Sequence, residues 1–198
     1  MFTVSTSNRS TYHHGDLKAA LLLAANALLE EGGEAAISVR EVARRAGVSP
    51  TATYRHFEDR SAMLAALATQ GFESFAEDMK KASAQSPEPF AEMGVAYVRF
   101  AVDHPGMFRL MFGPSVADRS RSPDLVAAIA KSTRVFNQGM EACKGVISDS
   151  RLTALRSWAL VHGLSMLVLD GMLPGFDAET LARAVTKSAK PNPGGGSS

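Results

Sequence analysis

Apolar residues along this chain recur at helical spacing, with little of the alternation that marks strands. Leu17, Leu21, Ala24 and Leu28 share one face and predict a helix from Asp16 to Glu31. Asp16 suits the positive end of its dipole, and Gly32-Gly33 stops it. Val39, Val42, Ala43 and Ala46 form the next stripe. Ser38 and Glu41 open that helix as an S-x-x-E capping box, and Gly47 stands where a left-handed C-terminal cap is needed. Val48 points inward, Ser49 is the following N-cap, and Pro50 takes the first position of a third helix that reaches about His56. Asp59 is placed to cap a fourth helix carrying Met63, Leu64, Leu67, Phe72, Phe75 and Met79.

Prolines punctuate the remainder. Pro87, Pro89, Pro105, Pro123 and the Pro174-Gly175 pair separate helices expected over 88–103, 105–112, 123–145, 149–172 and 177–188. The fold class expected is all-α, with about nine helices. Two short helices joined by a glycine-containing turn have the helix-turn-helix layout. The organisation expected is a flexible arm over 1–13, a three-helix head within 14–74, a larger helical body over 75–189 and a flexible Pro/Gly/Ser tail over 190–198.

Composition narrows the function. Of 198 residues, 45% are hydrophobic, enough to bury a real core. The net charge is +1, so bulk charge says nothing about nucleic acid and only local clustering can. Between Ser38 and His56, Arg40, Arg44, Arg45 and Arg55 stand against Glu41 alone, a positive patch that suits phosphates. The single cysteine, Cys143, excludes an internal disulfide framework and a multi-cysteine metal site; no metal or cofactor is expected. A reducing cytoplasm is the simplest location. Met1 to Thr11 lacks the apolar segment of a secretory signal. The run Trp158 to Leu173, interrupted by His162 and Asp170, falls short of the roughly 20 residues of a membrane span and reads as a buried helix. Enzyme chemistry fails on inventory: the chain has no nucleophile elbow, phosphate-cradling glycine loop or spaced metal ligands, and no catalytic residue is expected.

The segment Ser38 to Leu64, SVREVARRAGVSPTATYRHFEDRSAML, resembles the DNA-binding segment of the tetracycline-repressor (TetR) family of bacterial regulators. The matching features are the Ser38 cap, Val42-Ala43, Ala46-Gly47-Val48-Ser49, and Tyr54-x-His56-Phe57 followed by the basic Arg60. Thr51-Ala52-Thr53 and the arginine at position 60 depart from the commoner residues and leave the DNA sequence preference open. The resemblance implies a backbone contact for Tyr54, a phosphate contact for His56 and a variable base-reading role for Arg55. It also implies repression as the output, and dimerisation through the last two long helices. Ser157 to Gly163 resembles a Trp…His-Gly signature of one subgroup of such C-terminal domains.

The residues themselves extend that reading. Ser38, Ser49 and Pro50 fix the entrances of helices two and three. Thr51 and Ala52 lie on the outer face of helix three, where a methyl can touch a thymine, while Thr53 faces inward. Arg40 can reach a guanine edge or a phosphate, and Arg44 and Arg60 read as phosphate clamps. Tyr12, His13 and His14 can lie on the DNA backbone. In the body, Met93, Tyr97, Phe100, Phe108, Met111, Phe112, Phe136, Met140, Trp158 and His162 are candidates to line an adaptable pocket for an apolar or amphipathic ligand, although each alone is more readily core. Leu152, Leu155, Ala159, Leu167, Leu181 and Val185 recur on faces one small body can hardly cover, which suits a symmetric four-helix interface. Two alternatives stay open: a DNA-binding dimer whose body is only a scaffold, and a helical enzyme with a borrowed head, for which only His104, His162 and Asp170 are available.

Overall fold

The computed structural model describes residues 14–84, 86–141 and 150–188. Among them it contains nine α-helices and no strand: α1 (His14–Gly32), α2 (Val39–Arg45), α3 (Pro50–Tyr54), α4 (Arg60–Ala84), α5 (Pro89–Asp103), α6 (Pro105–Phe112), α7 (Pro123–Glu141), α8 (Ser150–Leu169) and α9 (Ala178–Ser188). Short 3-10 turns at Glu34–Ala36 and Pro114–Val116, which periodicity does not signal, complete the order. The expected arm, the expected tail and Cys143 lie outside the described residues.

Local chemistry explains the boundaries. The Ser38 hydroxyl accepts the Glu41 N–H at 3.1 Å, Ser49 accepts that of Ala52 at 3.2 Å, and Asp59 accepts that of Ala62 at 2.7 Å. The capping box is only half made. Glu41 turns its carboxylate to Arg44, whose Nε lies 2.9 Å away, because a charged neighbour one turn on outcompetes a backbone N–H. Gly47 has φ 69°, the left-handed cap that a β-carbon would strain. Pro105 starts α6 one residue after the His104 junction, so α5 and α6 meet at an abrupt corner.

The helix α4 is the spine. Met63, Leu64 and Leu67 pack into the head, while Phe72, Phe75 and Met79 carry the same stripe into the body, giving one continuous core. Head and body also meet where α1 ends against α6. The Glu30 carboxylate accepts the N–H groups of Gly106 at 2.8 Å and Met107 at 3.0 Å, satisfying two of the donors that a helix start leaves bare. A β-carbon at position 106 would fall 2.5 Å from the Leu29 carbonyl oxygen, so only glycine lets the helices approach this closely.

The expectation of a buried final long helix is corrected. On α8, Val161, Leu164 and Ser165 face the core, but Leu152, Ala159, Leu160 and Leu167 face outward. The apolar run is two-sided, and among the described residues one side packs into the core while the other is exposed. On α9, Leu181 and Val185 pack partly against the chain's own core rather than standing free.

Candidate nucleic-acid interface and effector cavity

The third helix is a single short segment held from both ends. Val48 packs before it, Phe57 is buried after it, and Thr53 is 0% exposed beneath it. Five residues cannot form a stable helix alone, so this packing supplies its rigidity. The outer surface presents Thr51, Ala52, Tyr54 and Arg55, with Tyr54 54% exposed. Four arginines nearby differ sharply in what they face. Arg45 is bound to Glu31 through both guanidinium nitrogens, Nη1 at 2.8 Å, and Arg44 is bound to Glu41. These pairings hold both glutamates below the usual carboxylate range. Arg40 and Arg55 are exposed with no carboxylate within ion-pair distance among the described residues. Arg40 on α2 and Arg55, next to Tyr54, are therefore exposed cations of the helix-turn-helix without a carboxylate partner among the described residues.

A cavity of about 320 Å³ lies among α4, α5, α6, α7 and α8. Phe72, Phe75, Phe112, Phe136 and Trp158 supply most of its apolar wall. Tyr97 is buried beneath it, edge-on to Phe75 at 4.9 Å. The Tyr97 hydroxyl accepts the Trp158 Nε1–H at 3.1 Å and lies 3.0 Å from Nδ1 of His162. Burial pushes the tyrosine up and holds His162 below its ordinary value; with the hydroxyl accepting from Trp158, its own O–H is left to donate to Nδ1 of a neutral His162 ring. At this position the unfolded chain binds protons more readily than the folded one. Stability should be full above the ordinary histidine value of about 6.5 and decline as pH falls below it. Thermal melts at pH 7.5 and 5.5 should show a smaller drop for His162→Gln than for the parent; equal drops would contradict the assignment.

Residues 90–188, half of the chain, match the family described as the tetracyclin repressor-like C-terminal domain, and residues 21–67 match the bacterial regulatory proteins of the tetR family. The chain belongs to the TetR family. A Rhodococcus sp. RHA1 protein of unknown function has the same fold at a TM-score of 0.78 and 32% identity, covering 91% of this chain and 97% of that one. The TetR-family regulator PfmR from Thermus thermophilus, at 20% identity and a TM-score of 0.65, covers 86% of this chain and 96% of its own and shares the fold. An HTH-type transcriptional regulator of Mycobacterium tuberculosis is 28% identical over 132 residues, which span 63% of this chain and 56% of the relative. The match thus spans little more than half of that curated relative's length.

Within the TetR frame, Ser38 and Ser49 are caps and Pro50 is the first residue of α3; Arg40, Thr51, Tyr54 and Arg55 are exposed, and Ala52 and His56 are half-buried. Two expected phosphate clamps have internal partners. Arg44 is held by Glu41, a surface pair weak enough for a phosphate to compete with. Arg60 donates from Nε to the Ile37 carbonyl at 2.9 Å and from Nη2 to that of Glu34 at 2.6 Å, bracing α4 against the turn before α2. In the body the expected pocket residues divide. Tyr97, Phe112, Phe136 and Trp158 line the cavity, whereas Met93, Phe100, Phe108 and Met111 are buried in the core, and the Met140 side chain lies outside the described residues. His162 reaches the wall through Tyr97. Periodicity marks Phe72, Phe75 and Met79 only as core and gives no signal for Arg119, yet all four line the cavity. No helix among the described residues is long and apolar enough to cross a membrane.

Thr53 carries a further expectation. Its hydroxyl is buried and makes no hydrogen bond. Thr53→Val keeps the shape and removes the desolvated oxygen, so it should raise stability by about 1 kcal/mol, or roughly 2–4 °C in Tm. DNA affinity should not change, because the side chain faces away from the outer surface. A lower Tm would show that the hydroxyl has a partner in solution.

Proposed function

We propose that this chain is a ligand-responsive repressor that binds a palindromic operator as a homodimer in the cytoplasm and is not an enzyme. The observation that carries the reading is a rigid helix-turn-helix with Arg40 on its first helix and Tyr54 and Arg55 at the end of its second, all exposed, and with neither arginine ion-paired among the described residues, in a chain of net charge +1. The head, 14–74, reads DNA and the body, 75–189, dimerises and binds an effector. Two heads on a two-fold axis reach successive major grooves about 34–36 Å apart. The outward Leu152, Ala159, Leu160 and Leu167 of α8 support pairing of the last two helices with their symmetry mates. The aromatic cavity supports an apolar or amphipathic ligand. A ligand that binds better when the heads are wrongly spaced lowers DNA affinity by that difference. The candidate titratable groups do not converge on a reaction centre: Asp170 is paired with Arg109, His162 with Tyr97, and His104 lies against the Phe100 ring.

The test is selection of bound fragments from a random duplex pool with the full chain, followed by sedimentation at micromolar concentration. The expected result is an inverted repeat bound by a dimer. Recovery of no preferred sequence, or a monomer throughout, would overturn the reading.

A further inference from the structure

The polar groups facing the cavity are few, and most are already engaged. The hydroxyls of Ser132 and Thr133 both donate to the Ile129 carbonyl at 2.9 Å. The Tyr97 hydroxyl is held between Trp158 and His162. That leaves the Asn137 amide and the Arg119 guanidinium, and no aspartate or glutamate is among the residues lining the cavity.

The charged groups near Arg119 have partners of their own. Asp118 accepts the N–H and the hydroxyl of Ser120, at 3.2 and 2.6 Å. Arg121 faces Asp59 at 3.7 Å, and Lys131 on α7 is paired with Glu77 at 2.8 Å. Arg119 itself has no carboxylate within ion-pair distance among the described residues. The uncompensated charge lining this apolar chamber is therefore positive. A guanidinium presents a planar fork that matches carboxylate, sulfate or phosphate oxygens two at a time. Because Arg119 is exposed, a head group there stays partly hydrated, and the cost of burying an ion pair is largely avoided.

Resting on the effector reading above, we infer that the cavity takes an anionic amphiphile, its charged head at Arg119 and its apolar body among Phe75, Phe112, Phe136 and Trp158. The volume is at the small end of the about 300–1,000 Å³ typical of ligand sites, which fits one short chain or a small ring system. The head group would also bear on the segment through which Arg121 reaches Asp59, the cap of α4.

Trp158 is the only tryptophan of the chain and lines the site, so its emission reports occupancy there directly. Octanoate, octyl sulfate, octanol and octylamine are titrated into the full chain and into Arg119→Gln. Using octanol as the reference for the apolar tail, Arg119→Gln should weaken the two anions about five-fold relative to octanol, the value of one well-placed exposed pair. It should improve octylamine relative to octanol. A loss for either anion supports the inference, and the larger loss identifies the preferred head. If all four bind and the ratios do not change, the anion preference is overturned while the effector cavity stands. If none of the four perturbs Trp158 in the parent chain, both the inference and the effector reading fail. Equal melting temperatures of parent and variant exclude misfolding as the cause, since Arg119 is exposed.

Discussion

Arg55→Ala combined with Arg40→Ala should abolish operator discrimination while leaving the protein folded. Each arginine is exposed and unpaired among the described residues, so neither substitution strands a buried partner and the melting temperature should hold. A lost bidentate contact to a base edge costs about 1–3 kcal/mol, and a symmetric dimer loses it in both half-sites, giving about 2–6 kcal/mol per substituted position. The preference should relax at one base position per half-site for each arginine. Arg45→Ala is the control: its guanidinium is held by Glu31, and its removal should leave base preference intact. The measurement is a titration against operator and scrambled duplex at several salt concentrations. If the double variant loses affinity equally for both duplexes, with a shallower salt slope, these arginines touch phosphates and the reading of bases lies elsewhere.

Phe75→Ala should be the most damaging single change in the body. Phe75 is buried and edge-on to three rings, with centroids 4.9 Å from Tyr97, 5.1 Å from Phe100 and 6.4 Å from Phe112. Truncating a core phenylalanine costs about 3–5 kcal/mol, which for a chain of this size lowers Tm by roughly 10 °C. The same change opens the cavity wall, because Phe75 also lines it. The Trp158 emission should therefore shift toward that of a wetter indole even before unfolding. Leu160→Ala, on the outward face of α8, should leave the fold of one subunit nearly untouched and act on assembly alone. If Phe75→Ala melts with the parent, the aromatic cluster does not hold the body together.

The helix starts were legible because caps act within three residues: Ser38, Ser49 and Asp59 each satisfy an N–H in their own first turn. The breaks were legible because Pro105 and Pro123 cannot continue a preceding helix, and each opens the next one. What the chain does not announce is the company a side chain keeps at a distance. Arg60 has the look of a free cation, yet its carbonyl partners lie 23 and 26 residues earlier and become its neighbours only when α4 docks. Phe108 and Phe112 sit one turn apart on α6; one is sealed in the core and the other reaches the cavity, a difference set by what packs opposite. Phe72, Phe75 and Met79 belong to one apolar stripe, and periodicity alone cannot say that part of it faces a space. Arg119, a single arginine in a connecting segment, gains meaning only from the cavity it lines, where no acid is among the other lining residues.

The joint between Glu30 and α6 has a consequence for how such a regulator can change over generations. Its donors on α6 are main-chain N–H groups, so apart from the bare α-carbon required at Gly106 no side chain of α6 is committed to it. The cavity-lining residue of that helix, Phe112, is free to vary while the head remains attached in the same way. If the cavity senses the proposed effector, what is sensed and how it is reported can drift as separate traits, and a lineage can acquire a new signal without first rebuilding the joint between body and head.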